Sequence, residues 1–451
     1  MSGEALLSAT PFGLRAALCD RGGVSHFLIE SALRPSRVGD IHAGRVVRVM
    51  PQLGGGFVEL GEGIGEGWLE TARKLAPGEA VLVQVASDAR GGKAPRLSLS
   101  LSLAGCGLVF MPARKSPLVS SRIDDGPARA HLAALIETLG VPGFIARRDA
   151  AAMPDDALRH EAGRLQTAFR QIAAAKETDP APRRLWSAGG MLGRLLRDHL
   201  ADRRLIVDDR GTYDAALALS VSRHPKLVPL IALADDEPDL FERHDAHGAL
   251  EASLLPGVPF EGGALTIETT EALTAIDVDV SGTSLAEASR RAMDAAGRAI
   301  LQRNLGGLIV LDAPRLKSAK ARDAMIDALR RSLAGDRAAH HVHGVTPAGL
   351  IELTRQRIGE SVADAMTERD GPGAAWRPRL DALAFDLAAA ARRSVRRGAR
   401  RLVIRAAPRL LAPIEAVPGS ADGGFARWLG RPVAFAAEAG RPPERFEVET
   451  M

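Results

Sequence analysis

The sequence predicts an α/β protein built from several domains, and three observations predict it. The chain has 451 residues, and one domain per ~150 residues gives roughly three separate cores. Residues 39–102 hold a series of short β-rich runs joined by glycine turns. Residues 263–345 alternate strand-like and helix-like patterns, the mark of an α/β sheet. A hydrophobic fraction of 46% and a charged fraction of 25% exclude a mostly disordered chain. No run of eighteen apolar residues exists, so no membrane span is predicted. The first twenty residues lack the basic start of a signal peptide, and a cytoplasmic protein is the default expectation. Two cysteines, Cys19 and Cys106, exclude a disulfide scaffold and a four-cysteine zinc site. Neither has a base signature near it in the sequence, so both are read as inert.

Taken in order, residues 1–38 read as two or three strands, with Leu14–Leu18 and His26–Ile29 separated by the turn signal Asp20-Arg-Gly-Gly23. Ile41–Met50, Gly56–Leu60, Gly67–Leu69, Ala80–Ala86 and Arg96–Leu101 are then five short strands. That series suggests a small barrel of the OB type, whose face can bind single-stranded nucleic acid. Gly61, Gly63, Gly65 and Gly67 mimic a phosphate loop, but no GK[ST] follows, and a hairpin turn is expected. Residues 107–111 form another strand, and Ala130–Leu139 and Asp156–Ala175 are helices. The second carries Leu158, Ala162, Leu165, Phe169 and Ile172 at spacings of three and four. Leu192–His199 is helical and Arg204–Asp208 a strand.

Gly263–Thr269 and Ala272–Val280 look like paired strands. A helix from about Ser284 to Leu301 stops at Asn304-Leu-Gly-Gly307. Leu308–Leu311 is a buried-type strand with Asp312 at its end. Ala319–Leu333 is a basic amphipathic helix, His340–Val345 a strand and Gly349–Arg357 a short helix. Glu360–Arg377, with Gly371-Pro-Gly373, reads as a linker, and Leu380–Arg397, Leu402–Ala406, Val433–Ala436 and Arg445–Val448 complete the chain.

Charge narrows the partners. Net charge is only +4, yet 52 of the 59 basic residues are Arg. Arg offers a planar fork suited to phosphate, although a coding bias toward Arg, Ala and Gly accounts for most of the surplus. Composition thus permits an anionic partner without requiring one.

Three constellations carry chemistry. Asp277, Asp279 and Asp312 stand at or near the ends of apolar strands, where α/β sheets place ligands. Converging carboxylates there make a hard oxygen site suited to Mg²⁺ and so to phosphodiester cleavage; the same residues could instead cap loops. Arg315, Lys317, Lys320, Arg322, Arg330, Arg331 and Arg337 follow Asp312. They offer either a phosphate track or a solvated helix face. Phe57 and Trp68 lie on consecutive barrel strands in a chain with 4% aromatics. They are base-stacking platforms or core residues. Two weaker signals are the run of His340, His341 and His343, and Arg392, Arg393, Arg396 and Arg397 near a helix end.

Four stretches together resemble the ribonuclease E / ribonuclease G family of bacterial endoribonucleases: Asp40–Leu69, Thr270–Val280, Leu305–Asp312 and Gly349–Arg357. The resemblance implies an RNase H-like domain split between 1–38 and 195–252, an OB-fold RNA-binding domain over 39–102 and a 5′-sensor region over 103–194. A DNase I-like catalytic domain over 253–357 and a linker with a small C-terminal α/β domain over 358–451 follow. It implies a Mg²⁺-dependent endoribonuclease that cuts single-stranded RNA to leave a 5′-phosphate and a 3′-hydroxyl. Asp277 and Asp312 match the metal-binding aspartates, and Asp279 falls where the family usually has Asn and would orient water or the scissile phosphate. Glu271 would stand behind them. Phe57, Trp68 and Lys93 would bind RNA on the barrel, and Arg315 and Lys317 beyond Asp312. Arg147 matches the Arg of the 5′-phosphate pocket, and its neighbour Arg148 replaces a Thr.

The segment after Asp279 is shorter than usual. The family's cysteine zinc link should fall around 360–375, where there is no Cys. Any homodimer is therefore expected without a zinc bridge. The competing expectations are a catalytically weak or inactive RNA-binding protein of the same fold, and action on DNA or another phosphodiester.

Overall fold

The computed structural model describes residues 3–61, 63–90, 92–201, 203–234, 239–282, 284–369, 375–415 and 424–450. The chain divides into two units. One holds Met1–Arg34, Asp202–Tyr213 and Ile231–Met451, the other Pro35–Ala201 and Asp214–Leu230. Each unit mixes helices and strands.

The first unit begins with an antiparallel meander of β1 (Gly3–Thr10), β2 (Gly13–Asp20) and β3 (Gly23–Ser31). The apolar runs Ala5–Leu7 and Ala16–Leu18 are fully buried, as central strands covered on both faces require.

In the second unit, β4 (Ile41–Met50), β5 (Gly55–Glu59), β6 (Glu66–Glu70), β7 (Ala80–Ser87) and β8 (Arg96–Ser98) run in the order β4-β5-β6-β8-β7. β7 also pairs with β4, which closes a five-strand barrel of the OB type. Its inside is filled by Val46, Val58, Leu69, Val81, Val83, Val85 and Leu97. The glycine-rich stretch after β5 is a turn, with the Leu60 N–H donating to the Gly65 carbonyl at 3.0 Å. The short strands β9 (Leu103–Ala104), β10 (Leu108–Phe110), β11 (Leu118–Val119) and β12 (Phe144–Ala146) make a second sheet. Leu132 and Ile136 of α1 (Gly126–Glu137) and Leu158, Ala162 and Leu165 of α2 (Asp155–Thr178) share its core. β13 (Arg183–Trp186) adds to β4, and α3 (Gly190–His199) follows.

β14 (Arg203–Val207) returns the chain to the first sheet, parallel to β1. After α4 (Arg210–Arg223), β15 (Ile231–Leu233) completes the order β15-β14-β1-β2-β3. After α5 (Ala246–Leu254), the unit's largest sheet uses β16 (Gly257–Phe260), β17 (Gly263–Thr269), β18 (Leu273–Val280), β19 (Gly307–Asp312), β20 (His340–Val345) and β21 (Ile351–Arg355). Their order is β16-β17-β18-β19-β21-β20. α6 (Leu285–Gln302) links the parallel pair β18–β19, and α7 (Ala319–Ser332) joins β19 to β20.

The helix expected over Gly349–Arg357 is instead strand β21. Ile351, Leu353 and Arg355 are buried while Glu352 and Thr354 are not. That is a period of two, which the adjacent Leu350-Ile351 pair disguises as a helical spacing.

The stretch read as a linker contains α8 (Val362–Met366) and the pair β22 (Thr367–Glu368) with β23 (Arg377–Pro378). The Gly371–Gly373 turn signal lies outside the described residues. α9 (Leu380–Arg396), β24 (Leu402–Ala406), α10 (Pro408–Glu415), α11 (Gly424–Leu429), β25 (Val433–Ala437) and β26 (Glu447–Thr450) form a small α/β layer around one core. Arg392 donates to the Ala9 carbonyl at 2.7 Å and pairs with Asp208, while Arg393 holds Asp239 at 2.7 Å. These arginines tie α9 to the first sheet, through Ala9 and Asp208, and to the segment before α5, through Asp239.

Candidate functional site

The six-stranded sheet has one covered and one open face. Leu265, Ile267, Ile276, Val278, Ile309, Leu311, Ile351 and Leu353 point into a core shared with α6 and α7. Because side chains alternate along a strand, the intervening residues share the other face. Asp277 and Asp312 are register partners on the parallel pair β18–β19, and both are exposed there. Asp279 is exposed two residues further along the same face, and Thr266 of β17 pairs with Asp277. Neighbouring strands are ~4.8 Å apart, so two carboxylates stand side by side near the carboxyl ends of parallel strands. Glu268 and Glu352 occupy the next row of the face, opposite Ala275 and Val310. Sequence reasoning missed both; the alternation Thr-Ile-Glu and Ile-Glu-Leu was the signal that could have found them.

The loop after Asp312 is pinned from below. Ala313 and Leu316 are buried in the core. Arg322 donates to the carbonyls of Leu316 and Lys317 at 2.9 and 3.1 Å, and Arg315 to the Ala348 carbonyl at 3.2 Å. Arg315 and Lys317 are thereby held exposed just beyond the carboxylates.

The rest of the expected basic track is placed differently. α7 packs on the covered face and runs back along it for 14 residues, about 20 Å at 1.5 Å per residue. Arg330 and Arg331 in its last turn are therefore far from Asp312, and Arg330 pairs with Asp327. Glu271 sits in the hairpin turn at the other end of β18 from Asp279, so it cannot support the carboxylates. His340 faces the Ala338 carbonyl at 3.2 Å and buried Asp336 at 3.3 Å. His341 and His343 lie on the open face with ring centroids 4.6 Å apart. The three histidines do not converge on a common point.

Mg²⁺ asks for one or two carboxylates and keeps several waters. The exposed Asp277–Asp312 pair fits that demand. The three aspartates do not form a closed cage, because among the described residues only Cys106, Glu161 and His224 bring three potential ligand atoms within 4.8 Å of one another.

On the barrel, Phe57 and Trp68 are cross-strand partners on β5 and β6, with ring centroids 5.2 Å apart at 65°. Both are half-buried and stand on the outer side, since their neighbours Val58 and Leu69 fill the inside. The core reading of these rings is thus excluded. Arg48 lies over the Phe57 ring at 4.6 Å. The Trp68 ring covers Gly55, where a Cβ would come within 2.9 Å of Cζ2. Lys93 is exposed in the turn two residues before Pro95, whose carbonyl takes the Trp68 N–H at 2.8 Å. The arrangement offers two aromatic faces flanked by cations, which suits stacked bases on a phosphate backbone.

Arg147, just after β12, donates from Nη2 to Asp198 Oδ1 and from Nη1 to the Gly105 carbonyl, both at 2.6 Å. Burial pushes the Asp198 carboxyl up, but Arg197 and then Arg147 overcome it and hold the group well below the usual carboxylate range. Two of the five guanidinium N–H groups of Arg147 are used in this way. Arg148 is more exposed and lies 4.0 Å from Asp149. Behind Arg147, Cys106 Sγ is 3.3 Å from His224 Nδ1. Burial pushes the Cys106 thiol up to about 12 and His224 down to about 4. A base does therefore stand beside Cys106. The sequence hid it because the partner is 118 residues away.

The model of the Ribonuclease E/G family matches residues 102–358, more than half of the chain. The chain belongs to the ribonuclease E/G family. It is 27% identical over 400 residues to Ribonuclease G of Haemophilus influenzae, covering 81% of this chain and 82% of that protein. It is 28% identical over 398 residues to Ribonuclease G of Escherichia coli K12, covering 80% and 81%. It is also 28% identical over 359 residues to Ribonuclease E of Synechocystis, covering 72% of this chain and 53% of that longer protein. Among the described residues, no helix is long and apolar enough to cross a membrane.

Proposed function

We propose that this chain is an endoribonuclease of RNA processing or decay that hydrolyses single-stranded RNA in the cytoplasm, leaving 5′-phosphate and 3′-hydroxyl ends. The observation that carries the reading is the register pairing of Asp277 with Asp312 on an open sheet face, in a family whose relatives are named ribonucleases. Asp277 and Asp312 would hold Mg²⁺, which supplies Lewis-acid stabilisation of the charge that develops on the phosphate oxygens. Asp279, exposed beside them, accepts a proton or a hydrogen bond from the attacking water and orients it. Arg315 and Lys317 steady the flanking phosphates as fixed positive charges.

The barrel binds the strand. Phe57 and Trp68 stack bases and Lys93 meets the backbone. Arg147, with Arg148 beside it, reads the RNA 5′ end through the N–H groups that Asp198 and the Gly105 carbonyl leave available. The segment scheme given by the resemblance belongs to the same reading: 1–38 with 195–252 as an RNase H-like scaffold, 39–102 for RNA binding, 103–194 for the 5′ end, 253–357 for DNase I-like chemistry and 358–451 as a small C-terminal addition.

The test is a 5′-monophosphorylated single-stranded oligoribonucleotide with Mg²⁺, beside a DNA oligonucleotide of the same sequence. Cleavage of RNA alone, lost in Asp277→Asn and Asp312→Asn, supports the reading. RNA binding without products, whether or not Mg²⁺ is present, would leave an inactive RNA-binding protein in its place.

A further inference from the structure

A thiol, an imidazole and a carboxylate meet in the second unit where three distant segments cross. Cys106 lies in the loop between β9 and β10, Glu161 on α2, and His224 just beyond α4. Their ligand atoms all lie within 4.8 Å of one another. We propose that they form a site for a borderline-soft divalent cation of the zinc class, held by Cys106 Sγ, His224 Nδ1 and Glu161 Oε1, one ion per chain.

The donor set is the first argument. Thiolate, imidazole and carboxylate are the three protein ligands of Zn²⁺, and soft sulfur disfavours Mg²⁺ and Ca²⁺. Dimensions are the second. Bonds of ~2.3 Å to sulfur and ~2.0–2.1 Å to nitrogen at a tetrahedral angle put the two ligand atoms about 3.6 Å apart. Cys106 Sγ and His224 Nδ1 already stand at 3.3 Å, so an ion needs them to part by only a few tenths of an ångström.

The loop itself is the third argument. Glu161 is buried at 3% exposure and accepts the N–H groups of Cys106, Gly107 and Leu108 at 2.8, 2.9 and 2.8 Å. One of these falls on Oε1 and two on Oε2. A carboxylate offers about four lone-pair positions, so one remains, on Oε1. Glycine flanks the thiol on both sides because nothing larger fits. A Cβ at Gly105 would lie 2.4 Å from Glu161 Oε1, and one at Gly107 2.6 Å from Leu158 Cδ2. The loop therefore closes onto the carboxylate and presents Cys106 to His224.

Loading forms the metal–sulfur bond, breaks the S–H bond and sends the proton to solvent, with no change of oxidation state. Cys106 is half-buried, and a water entering on that side would complete four-coordination. The site also bears on its neighbour, because the Gly105 carbonyl accepts from Arg147 Nη1 at 2.6 Å. An ion that fixes the loop fixes the carbonyl that orients Arg147.

Co²⁺ titration of the metal-free full chain tests this. The expected result is a near-ultraviolet thiolate-to-cobalt band that saturates at one ion per chain, is quenched by Zn²⁺ and survives excess Mg²⁺. The band should vanish in Cys106→Ser, weaken by tenfold or more in affinity in His224→Gln, since losing a ligand costs no less than the ~10–100-fold of losing the partner that orients one, and persist in Cys19→Ser. No thiolate band in the unmodified chain, or a band that survives in Cys106→Ser, overturns the proposal. Alkylation of the unmodified chain, read residue by residue by mass spectrometry, guards against a folding defect in the variants. Zn²⁺ must slow labelling of Cys106 by about tenfold or more while leaving Cys19 unchanged. Equal Cys106 labelling with and without Zn²⁺ also overturns it.

Discussion

Asp198 is shared between two arginines, taking Arg147 Nη2 on Oδ1 and Arg197 Nη2 on Oδ2, each at 2.6 Å. Arg147 is thus oriented before any ligand arrives, and Arg197 still neutralises Asp198 if Arg147 is removed. Arg147→Ala should therefore fold. It should lower cleavage of a 5′-monophosphorylated oligonucleotide to the level of its 5′-hydroxyl counterpart, with the latter rate unchanged. Steady-state kinetics on the two substrates check this. An equal fall on both would reduce Arg147 to a structural role.

Asp277 and Asp312 are exposed and make no core contact, so replacing them leaves stability within about 0.5 kcal/mol. Asp277→Asn and Asp312→Asn should each cut kcat by about a thousandfold or more while RNA affinity in the absence of metal stays as it was. A melting curve and a filter-binding isotherm on the same preparations separate lost chemistry from lost structure.

Phe57 and Trp68 lie outside the barrel wall. Truncating either to Ala should weaken single-strand binding by the ~1–3 kcal/mol that one stacked base contributes. The effect should appear in KM for RNA of any sequence, with kcat at saturation nearly unchanged. Equal KM values for the variant and the parent chain would return both rings to a purely structural role.

Asp336 and Arg355 form a buried fork, with Nε to Oδ2 at 2.8 Å and Nη2 to Oδ1 at 3.0 Å. Burial pushes the Asp336 carboxyl up, but His340 and Arg355 pull it below the ordinary range. Asp239 is likewise brought down to about 2, with His247 and Arg393 outweighing its burial. Carboxyls with folded pKa values below the unfolded ~3.9 stabilise the fold above that pH and lose the contribution as pH falls through the folded values. Urea unfolding should give a stability that already declines below about pH 6.5, where the unfolded chain protonates His224 but the folded chain, with that group pushed down to about 4, does not. It should drop further from about pH 4 to 2 as the carboxyls protonate. Asp336→Asn should flatten part of that drop. At neutral pH it should cost roughly 3–5 kcal/mol, because Arg355 loses its buried partner.

Residues 360–375 contain no cysteine. EDTA should leave the sedimentation behaviour of the chain unchanged whatever its oligomeric state. Zinc found at one atom per two chains, lost together with a dimer on chelation, would refute that expectation. It would be distinct from the one-per-chain ion inferred at Cys106.

Local patterns carried most of the fold. The barrel strands, the β17–β18 hairpin and the run from α6 to β20 were legible because period-two and period-3.6 patterns were long and separated by glycine turns. β21 was misread because five residues with two adjacent apolar positions fit either period. The candidate carboxylates were legible because strand-end aspartates break apolar runs. Their side-by-side register was not, because it depends on how β19 slides against β18. Cys106 looked isolated for a similar reason: nothing within its own loop hints at a histidine 118 residues away. Glu271 is the converse, close to Asp277 in sequence but at the far end of the same strand.

The parallel pairing of β1 with β14 joins Gly3 to Arg203, and this has a consequence during synthesis. At roughly 5–20 residues per second, β1 waits about 10–40 s for the strand that shields its edge. The barrel, by contrast, is contiguous from Ile41 to Ser98 and can close as soon as it leaves the ribosome. The nascent chain should therefore carry a finished barrel and an unfinished amino-terminal meander at the same time. Its exposed β1 edge is then the place where a chaperone would have the most to protect.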